Sequence, residues 1–332
     1  MSIDTVIPQL RDEAHQLTAR ELAALSGIDD DDRARFIDTW RSLSVQRRRN
    51  VIDWLGDLNE DNIELDFARV FLIGLFDEDV QVRADSIKAL WEYEGDDLPP
   101  VLMTLLRDPQ AMVRSEAALG LGRFLLRAEL DADEGPEARE WESGLRDLLH
   151  DHTELSDVRG RALEALGVRS HEWIRDEIEE AYSSGDRRMQ ISAVHAMGRN
   201  ADLDWLPTII EEMHSDDGEM RYEAAVAAGS LADEAAIADL SQLAYDDDAE
   251  VQEAAIGALG QIGGGAARNA LQQIASESSD ERVLEVVSDA LAEADFVEDP
   301  LGITVNLERS IQEEMEEQDW EAEDYEPQED RE

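Results

Sequence analysis

A short phrase recurs along this chain and constrains its fold more than any other feature. Most copies begin with Val or Met followed by Arg or Gln, continue through an Ala-rich run and end in Gly. The steps between the first residues are 31, 45, 31, 31, 31 and 32 residues. A period of this size indicates a stack of similar supersecondary units rather than one globular core. The first residues are Val82, Val113, Val158, Met189, Met220, Val251 and Val283.

The apolar residues inside the phrase follow the period of an α-helix. With the first residue as position zero, positions four, five and eight are mostly apolar, so one stripe of each helix is buried. Position seven is small in most copies, and the Gly after position eight is expected to end the helix in a left-handed cap. A second helix precedes each phrase, and acid-rich turns such as residues 77–79 are expected to cap the helix that follows them.

These patterns predict an all-α solenoid of about eight antiparallel helical hairpins. A divergent first copy fits residues 31–58, so the repeats are expected to cover residues 31–295. Residues 1–30, with a capping box from Thr18 to Glu21, are predicted to form a helical cap. The extra length of the 45-residue step predicts an exposed loop near residues 128–140.

The C-terminal end differs from the repeats in composition. Residues 296–332 hold 15 acidic residues and two arginines, which predicts an acidic, flexible tail. Within it Leu307, Ile311 and Met315 form an apolar stripe at helical spacing. The stripe is interpreted as a docking helix for a partner or for this protein's own groove, with a solvated tail as the alternative.

The charge of the chain is extreme and nearly free of lysine. Eighty-one acidic residues oppose 29 basic ones, giving a formal net charge of −52, and Lys88 is the single lysine. This composition resembles that of proteins from salt-accumulating halophiles, and we expect a halophilic archaeal origin. In molar salt the Debye length is roughly 3 Å, so such a charge acts little at a distance. A functional acidic surface is the alternative.

Composition also excludes several classes of protein. The absence of cysteine rules out disulfides and thiolate metal sites. No apolar run is long enough for a membrane span and no secretory signal pattern opens the chain, so a cytoplasmic location is expected. The basic residues form no continuous stripe, which argues against direct binding of nucleic acid. The six histidines show no metal spacing beyond His150 and His152 in one turn, so neither a metal nor a cofactor is expected.

The copy at residues 158–167, Val-Arg-x-x-Ala-x-x-Ala-Leu-Gly, resembles the HEAT-like repeat named after phycobilisome lyases. The resemblance covers residues 31–295 and implies an all-α repeat fold. It also implies that the second-position Arg pairs with an Asp of the turns, forming a ladder along the stack. Gln190, Gln252 and Leu284 depart from that pattern, so we expect interruptions in the C-terminal half. The slot holds Arg48, Arg83, Arg114, Arg159 and Arg221.

Enzymes of this repeat class give no match at the residues that carry their chemistry. A resemblance to deoxyhypusine hydroxylase would require His-Glu pairs at positions two and three of several helices, so that four pairs hold two irons. His171-Glu172 is the one such pair here, and one pair does not build a diiron site. We therefore expect a protein without catalytic activity. The slots hold Ala84-Asp85, Ser115-Glu116, Gly160-Arg161, Ile191-Ser192, Tyr222-Glu223 and Glu253-Ala254.

The predicted function is that of a scaffold or adaptor that presents a concave helical groove to a partner protein. Thirteen of the 29 basic residues fall within residues 101–200, and a mixed Arg, His and aromatic surface is typical of protein recognition. We expect this surface to bind an acidic or amphipathic segment, unless the arginines only balance neighbouring glutamates. The alternative functions are a regulatory adaptor in chemotaxis or motility signalling and a bilin-lyase-like chaperone. The candidate contact residues are Lys88, Leu119, Arg123, Arg161, His195, Arg199 and Tyr222.

Overall fold

The computed structural model describes residues 3–132 and 135–298, which form eighteen α-helices and no β-strand. Two short helices, α1 (Ile3–Arg11) and α2 (Ala19–Leu22), precede the repeats. The other sixteen pair in chain order as hairpins 1 to 8. They are α3 (Asp30–Trp40) with α4 (Val45–Asp61), α5 (Ala68–Gly74) with α6 (Val80–Ala89), α7 (Leu98–Leu105) with α8 (Ala111–Leu130), α9 (Pro136–His150) with α10 (Ser156–Leu166), α11 (Glu172–Ser183) with α12 (Arg187–Asn200), α13 (Leu206–Glu212) with α14 (Gly218–Leu231), α15 (Ile237–Leu243) with α16 (Ala249–Ile262), and α17 (Gly264–Glu277) with α18 (Glu281–Glu298).

The described residues group into an N-terminal unit and a C-terminal unit, divided between Ala196 and Met197 inside α12. In the N-terminal unit the second helices of successive hairpins pack on one another, in the order α4, α6, α8 and α10. In the C-terminal unit α14, α16 and α18 pack in the same way. The first helices of the hairpins form the other layer: α3 packs on α5 and α7 on α9 in the N-terminal unit, and α15 packs on α17 in the C-terminal unit. We call the two layers the first-helix layer and the second-helix layer, after the helices that form them. The predicted all-α solenoid of hairpins is confirmed.

The repeat phrase supplies both the core and the starts of its helices. All seven first residues are buried, from Val82 at 0% exposed to Met220 at 6%. The turn carboxylates cap the helices as expected: Asp79 accepts hydrogen bonds from two amides at the start of α6, and Asp248 accepts one at the start of α16. The capping box from Thr18 to Glu21 is also present, at the start of α2.

Most glycines after position eight lie inside their helices, and Gly167, which does end α10, is right-handed, so the prediction of left-handed caps is wrong. Gly122 lies inside α8 and Gly260 inside α16. A Cβ on Gly260 would lie 2.9 Å from the Cα of Ala290, the position-seven residue of the next hairpin. The glycine therefore lets two second helices approach backbone to backbone. The left-handed residue that ends α14 is an alanine, Ala232, at φ 51.

The loop predicted at residues 128–140 is largely helical. The longer step extends two helices instead, because α8 continues to Leu130 and α9 begins at Pro136. The added turns bury Phe124 on α8, and its ring meets the edge of Trp141 on α9 at a centroid distance of 6.0 Å. A fully buried Arg169 joins the same two helices through ion pairs with Glu129 and Glu142. Aromatic packing and a buried ion-pair cluster thus hold the two extended helices together.

The apolar stripe at Leu307, Ile311 and Met315 and the tail predicted around it lie outside the described residues, apart from residues 296–298 at the end of α18.

Candidate functional site

Arginines at the second phrase position connect neighbouring hairpins within each unit. Arg83 on α6 donates from Nε and Nη2 to the two carboxylate oxygens of Asp108, both at 2.9 Å. Arg221 on α14 makes the same two-pronged contact with Asp246, at 2.8 and 2.9 Å. Each carboxylate lies in the turn of the following hairpin. Paired donors of this kind fix orientation as well as add energy.

The same guanidinium groups also bond to the turn of their own hairpin. Arg83 Nη1 donates to the carbonyl of Asp77 at 2.8 Å, and Arg221 Nη1 donates to that of Ser215 at 3.0 Å. The receiving carboxylate is held in turn, since Asp246 accepts a bond from the amide of Asp248. One side chain therefore joins two consecutive turns, which gives these arginines a structural role.

Arg48 is the most buried member of this set. Its residue is 4% exposed, and its Nε lies 2.9 Å from Asp77 Oδ2. Its other nitrogens donate to the carbonyl of Leu43 and to Glu78, both at 2.9 Å. Asp77 also accepts a bond from the indole of Trp40 at 2.7 Å. The charges of Arg48 and Asp77 are thus removed from water together and depend on each other.

The glutamines at the second position keep the contact with a carbonyl of their own hairpin and lack the contact with a carboxylate of the next one. Gln190 donates to the carbonyl of Tyr182 at 3.0 Å, and Gln252 donates to that of Ala244 at 2.9 Å. Neither amide donates to a turn carboxylate within the described residues. Arg159 also bonds a carbonyl, that of Leu149, and within those residues it forms no ion pair. The ladder is therefore interrupted at Arg159 too, ahead of the C-terminal half where we expected the gaps.

The arginine contacts lower the pKa of carboxyl groups in the turns. The hydrogen bond from Arg221 lowers the pKa of Asp246, and that from Arg114 lowers the pKa of Glu154. A carboxyl whose pKa is lower in the folded state stabilises the fold above its unfolded pKa, roughly 4, and loses that contribution as the pH falls through the folded pKa.

We therefore expect Arg221→Gln to cost about 1–2 kcal/mol of unfolding free energy near neutral pH, because Asp246 loses its charged donor. The cost should shrink towards zero as the pH falls below roughly 4. Denaturant unfolding at a series of pH values measures it. Gln190→Ala is the control, since it removes a carbonyl contact without a carboxylate and its cost should not change with pH. A cost for Arg221→Gln that stays constant into acid would contradict the assignment.

Two of the predicted contact residues in the N-terminal unit pair with neighbouring glutamates. Lys88 Nζ lies 3.5 Å from Glu116, and Arg161 Nη1 donates to Glu164 at 2.6 Å. Glu164 is 3% exposed and also accepts bonds from Arg188 and Ser192. Burial raises the pKa of Glu116. For Lys88 and Arg161 the geometry favours the alternative interpretation, in which these bases balance neighbouring glutamates.

Arg123 has a different local role from the predicted one. Its Nη1 donates to the carbonyl of Trp91, which follows the end of α6, and its guanidinium lies 4.7 Å from the centre of the Phe124 ring. Burial lowers its pKa to about 10. A cation at the carbonyl end of a helix is favourable, so Arg123 holds α8 against α6. Leu119 and His195 are half-buried, whereas Arg199 is exposed near the end of α12.

The C-terminal unit contains an open groove on its second-helix layer. Tyr222 and Val226 on α14 form one wall, and Ala254 and Gly257 on α16 form the floor, in a space of ≈ 450 Å³. Tyr222 is 38% exposed, and nothing lies within 4 Å of a Cβ built on Gly257. Burial raises the pKa of the Tyr222 hydroxyl. The repeat pattern pointed to Tyr222 but named no contact residue on α16, so it missed the groove. The other lining residues are Glu250, Glu253, Ala258 and Gln261.

Within residues 3–132 and 135–298, no group of three or more His, Asp or Glu side chains is placed to hold a metal ion. None of the helices in these ranges combines the length and the apolar character needed to cross a membrane.

Part of the chain is similar to a known family by sequence. A family model described as HEAT repeats matches residues 206–292, which run from α13 into α18. No curated protein matches the chain.

Three solved structures are similar to this chain. The CpcE–CpcF complex of phycocyanin lyase from Nostoc sp. is 17% identical, with 84% of this chain and 97% of that chain covered and a TM-score of 0.49. Human deoxyhypusine hydroxylase in complex with glycerol is 19% identical, with 88% and 96% covered and a TM-score of 0.35. Yeast importin-beta is 13% identical, with 88% and 46% covered and a TM-score of 0.46. The match makes residues 206–292 similar to HEAT repeats, and the eight hairpins make the chain an all-α solenoid.

Proposed function

We propose that this chain is a non-catalytic scaffold that binds a partner protein through the second-helix layer of its C-terminal unit. The groove between α14 and α16 supports this proposal, because it places the exposed ring of Tyr222 beside an open apolar floor. A tyrosine offers a large rigid contact area with a polar end, and such residues dominate the energy of many protein interfaces.

The residues that line the groove indicate which side chains a partner would present to it. An apolar side chain of the partner would enter the space over Gly257 and contact Tyr222 and Val226. A basic side chain beside it would meet Glu250, which is exposed at the start of α16. Glu253 already pairs with Arg282 at 2.6 Å and is less free to respond. Of the acidic or amphipathic segment predicted from the sequence, we therefore keep the amphipathic one and add a basic residue to it.

The absence of catalysis remains part of the proposal. The slots that would need His-Glu pairs hold no histidine, and the pKa shifts of Asp246 and Glu154 come from bonds to arginines of neighbouring hairpins. A regulatory adaptor of chemotaxis or motility and a bilin-lyase-like chaperone are narrower forms of the same scaffold function. The identity of the captured partner distinguishes them, because one predicts a signalling component and the other a pigment-binding protein.

Site-specific photo-crosslinking tests this proposal in the source cell. A photoreactive phenylalanine replaces Tyr222, and the crosslinked species is identified by mass spectrometry. Tyr245 is the matched control, because it is 49% exposed but follows α15 in the first-helix layer and donates to Glu277. We expect a defined protein crosslinked at position 222 and not at position 245. Equal crosslinking at both positions, or none at 222, would reject the groove as the binding surface.

A further inference from the structure

A second apolar cleft lies on the first-helix layer of the N-terminal unit, between α3 and α5. From α3 it is lined by Arg33, Ile37 and Arg41, which follow one another at intervals of four residues and so share one stripe of the helix. Leu72, Ile73 and Phe76 line it from α5 and the turn after it. This cleft adjoins the arginine ladder at Arg48 and Asp77 and is separate from the groove at Tyr222.

The apolar part of the cleft is open to solvent. Phe76 is 72% exposed, although large apolar side chains favour burial, and the space beside it measures ≈ 410 Å³. Trp40 forms part of the lining, held by its indole bond to Asp77. Fixed aromatic surface next to an exposed ring is suited to receive an apolar side chain from another molecule.

The charge of the lining is opposite to that of the whole chain. Three arginines, Arg33, Arg41 and Arg48, face two carboxylates, Asp77 and Glu78. Arg48 pairs with both carboxylates at 2.9 Å, which leaves the other two arginines without a counter-charge in the lining. Within the residues that the structure describes, neither of those two guanidinium groups makes a hydrogen bond or an ion pair. On a chain of net charge −52 this is a local positive site.

We propose that this cleft binds an acidic amphipathic helix of a partner protein. Arg33 and Arg41 lie eight residues apart on or next to α3, about 12 Å along the helix axis. A partner helix with carboxylates about two turns apart would match both guanidinium groups, while an apolar side chain between them would seat against Phe76. Charge complementarity selects an acidic partner, because the remaining surface of this chain repels one. Such a site would provide a second partner surface, independent of the one proposed at Tyr222.

Binding of designed helical peptides to the full-length chain tests the assignment. Three labelled peptides share a leucine face and carry Glu, Gln or Lys at two positions eight residues apart, and fluorescence anisotropy reports their affinity. The salt concentration is the lowest that leaves the circular-dichroism spectrum of the chain unchanged. We expect the Glu peptide to bind about fourfold more tightly than the Gln peptide, because each partly exposed ion pair contributes roughly a factor of two. The Lys peptide should bind more weakly than either.

Variants of the chain separate the charge from the apolar contact. Arg33→Gln with Arg41→Gln should abolish the preference for the Glu peptide, whereas Arg20→Gln with Arg107→Gln, the same change of charge at exposed sites outside the cleft, should leave it intact. Phe76→Ser should weaken the binding of all three peptides by about tenfold, as expected for the loss of an aromatic anchor. Because Phe76 is exposed, this variant retains the fold.

Three outcomes would overturn the proposal. Equal affinity for the three peptides would make the cleft an apolar patch without charge selection. Preservation of the Glu preference in the Arg33→Gln, Arg41→Gln variant would place the binding elsewhere on the chain. Self-association in sedimentation experiments that is lost in Phe76→Ser would assign the cleft to a second copy of this chain. None of these results depends on whether Tyr222 crosslinks a partner.

Discussion

Replacing Arg48 with methionine is expected to lower the free energy of unfolding by about 3–5 kcal/mol, because it leaves the buried carboxylate of Asp77 without its counter-charge. Both residues are shielded from water, at 4% and 9% exposed. The indole of Trp40 and the amide of Asp79 still donate to Asp77 in the variant, but two neutral donors do not compensate a buried charge. Chemical denaturation followed by circular dichroism at constant salt measures the loss.

Two further variants show whether the buried charge is the cause. Combining Arg48→Met with Asp77→Asn removes both charges and keeps an acceptor for Trp40, so it should recover much of the lost stability. Arg69→Met breaks an exposed pair with Asp30, whose side chain is 91% exposed, and should have little effect. If the Arg48 variant is as mild as the Arg69 variant, the pair contributes no more than a surface ion pair does.

Two glycines of α16 should respond in opposite directions to the same change. Gly260→Ala is expected to destabilise the chain by about 1–3 kcal/mol, because the new methyl would press on the backbone of Ala290 on α18. Gly257→Ala is expected to stabilise it by about 0.5–1 kcal/mol, since the methyl meets open space and alanine favours the helix. Thermal unfolding of the two variants and the parent measures both effects.

The paired design removes helix propensity as an explanation, because both substitutions lie in one helix and gain the same amount from it. The difference between the two variants therefore reports the close approach of α16 to α18. Two substitutions that stabilise the chain equally would show that α18 moves away at little cost. In that case the glycines after position eight would be dispensable for packing.

The repeat spacing predicted the hairpins because each helix forms from residues close in sequence. Positions zero, four, five and eight recur at the helical period, and the structure buries the residues that the pattern marks, such as Val82 and Leu90. Capping by Asp79 and Asp248 was predictable for the same reason, since a cap and its amides lie within three residues of each other. The role of the glycines after position eight was not predictable, because they allow contact with the next helix and do not serve the local structure of their own helix.

The candidate site was harder to predict, because charge partners come from distant parts of the chain. Arg83 meets Asp108 across 25 residues and Arg114 meets Glu154 across 40, so no local pattern selects these carboxylates. The same limit applied to Lys88 and Arg161. The sequence predicted them as contact residues because it does not show that each of them pairs with a neighbouring glutamate. Tyr222 was identified from its position alone, and its setting beside Gly257 on α16 became visible only when two hairpins were packed together.

By itself the sequence determined the helical hairpins, their number and their buried stripe, since these depend on the period of apolar residues and on local capping. Only the tertiary structure decided which arginines join hairpins, which bond to one neighbour and which, like Arg33 and Arg41, make no ion pair among the residues it describes. It also decided that the longer step becomes helix, through the burial of Phe124 and Arg169. The physical reason is the same throughout: side-chain contacts between hairpins depend on distances that the chain sets only when neighbouring helices pack.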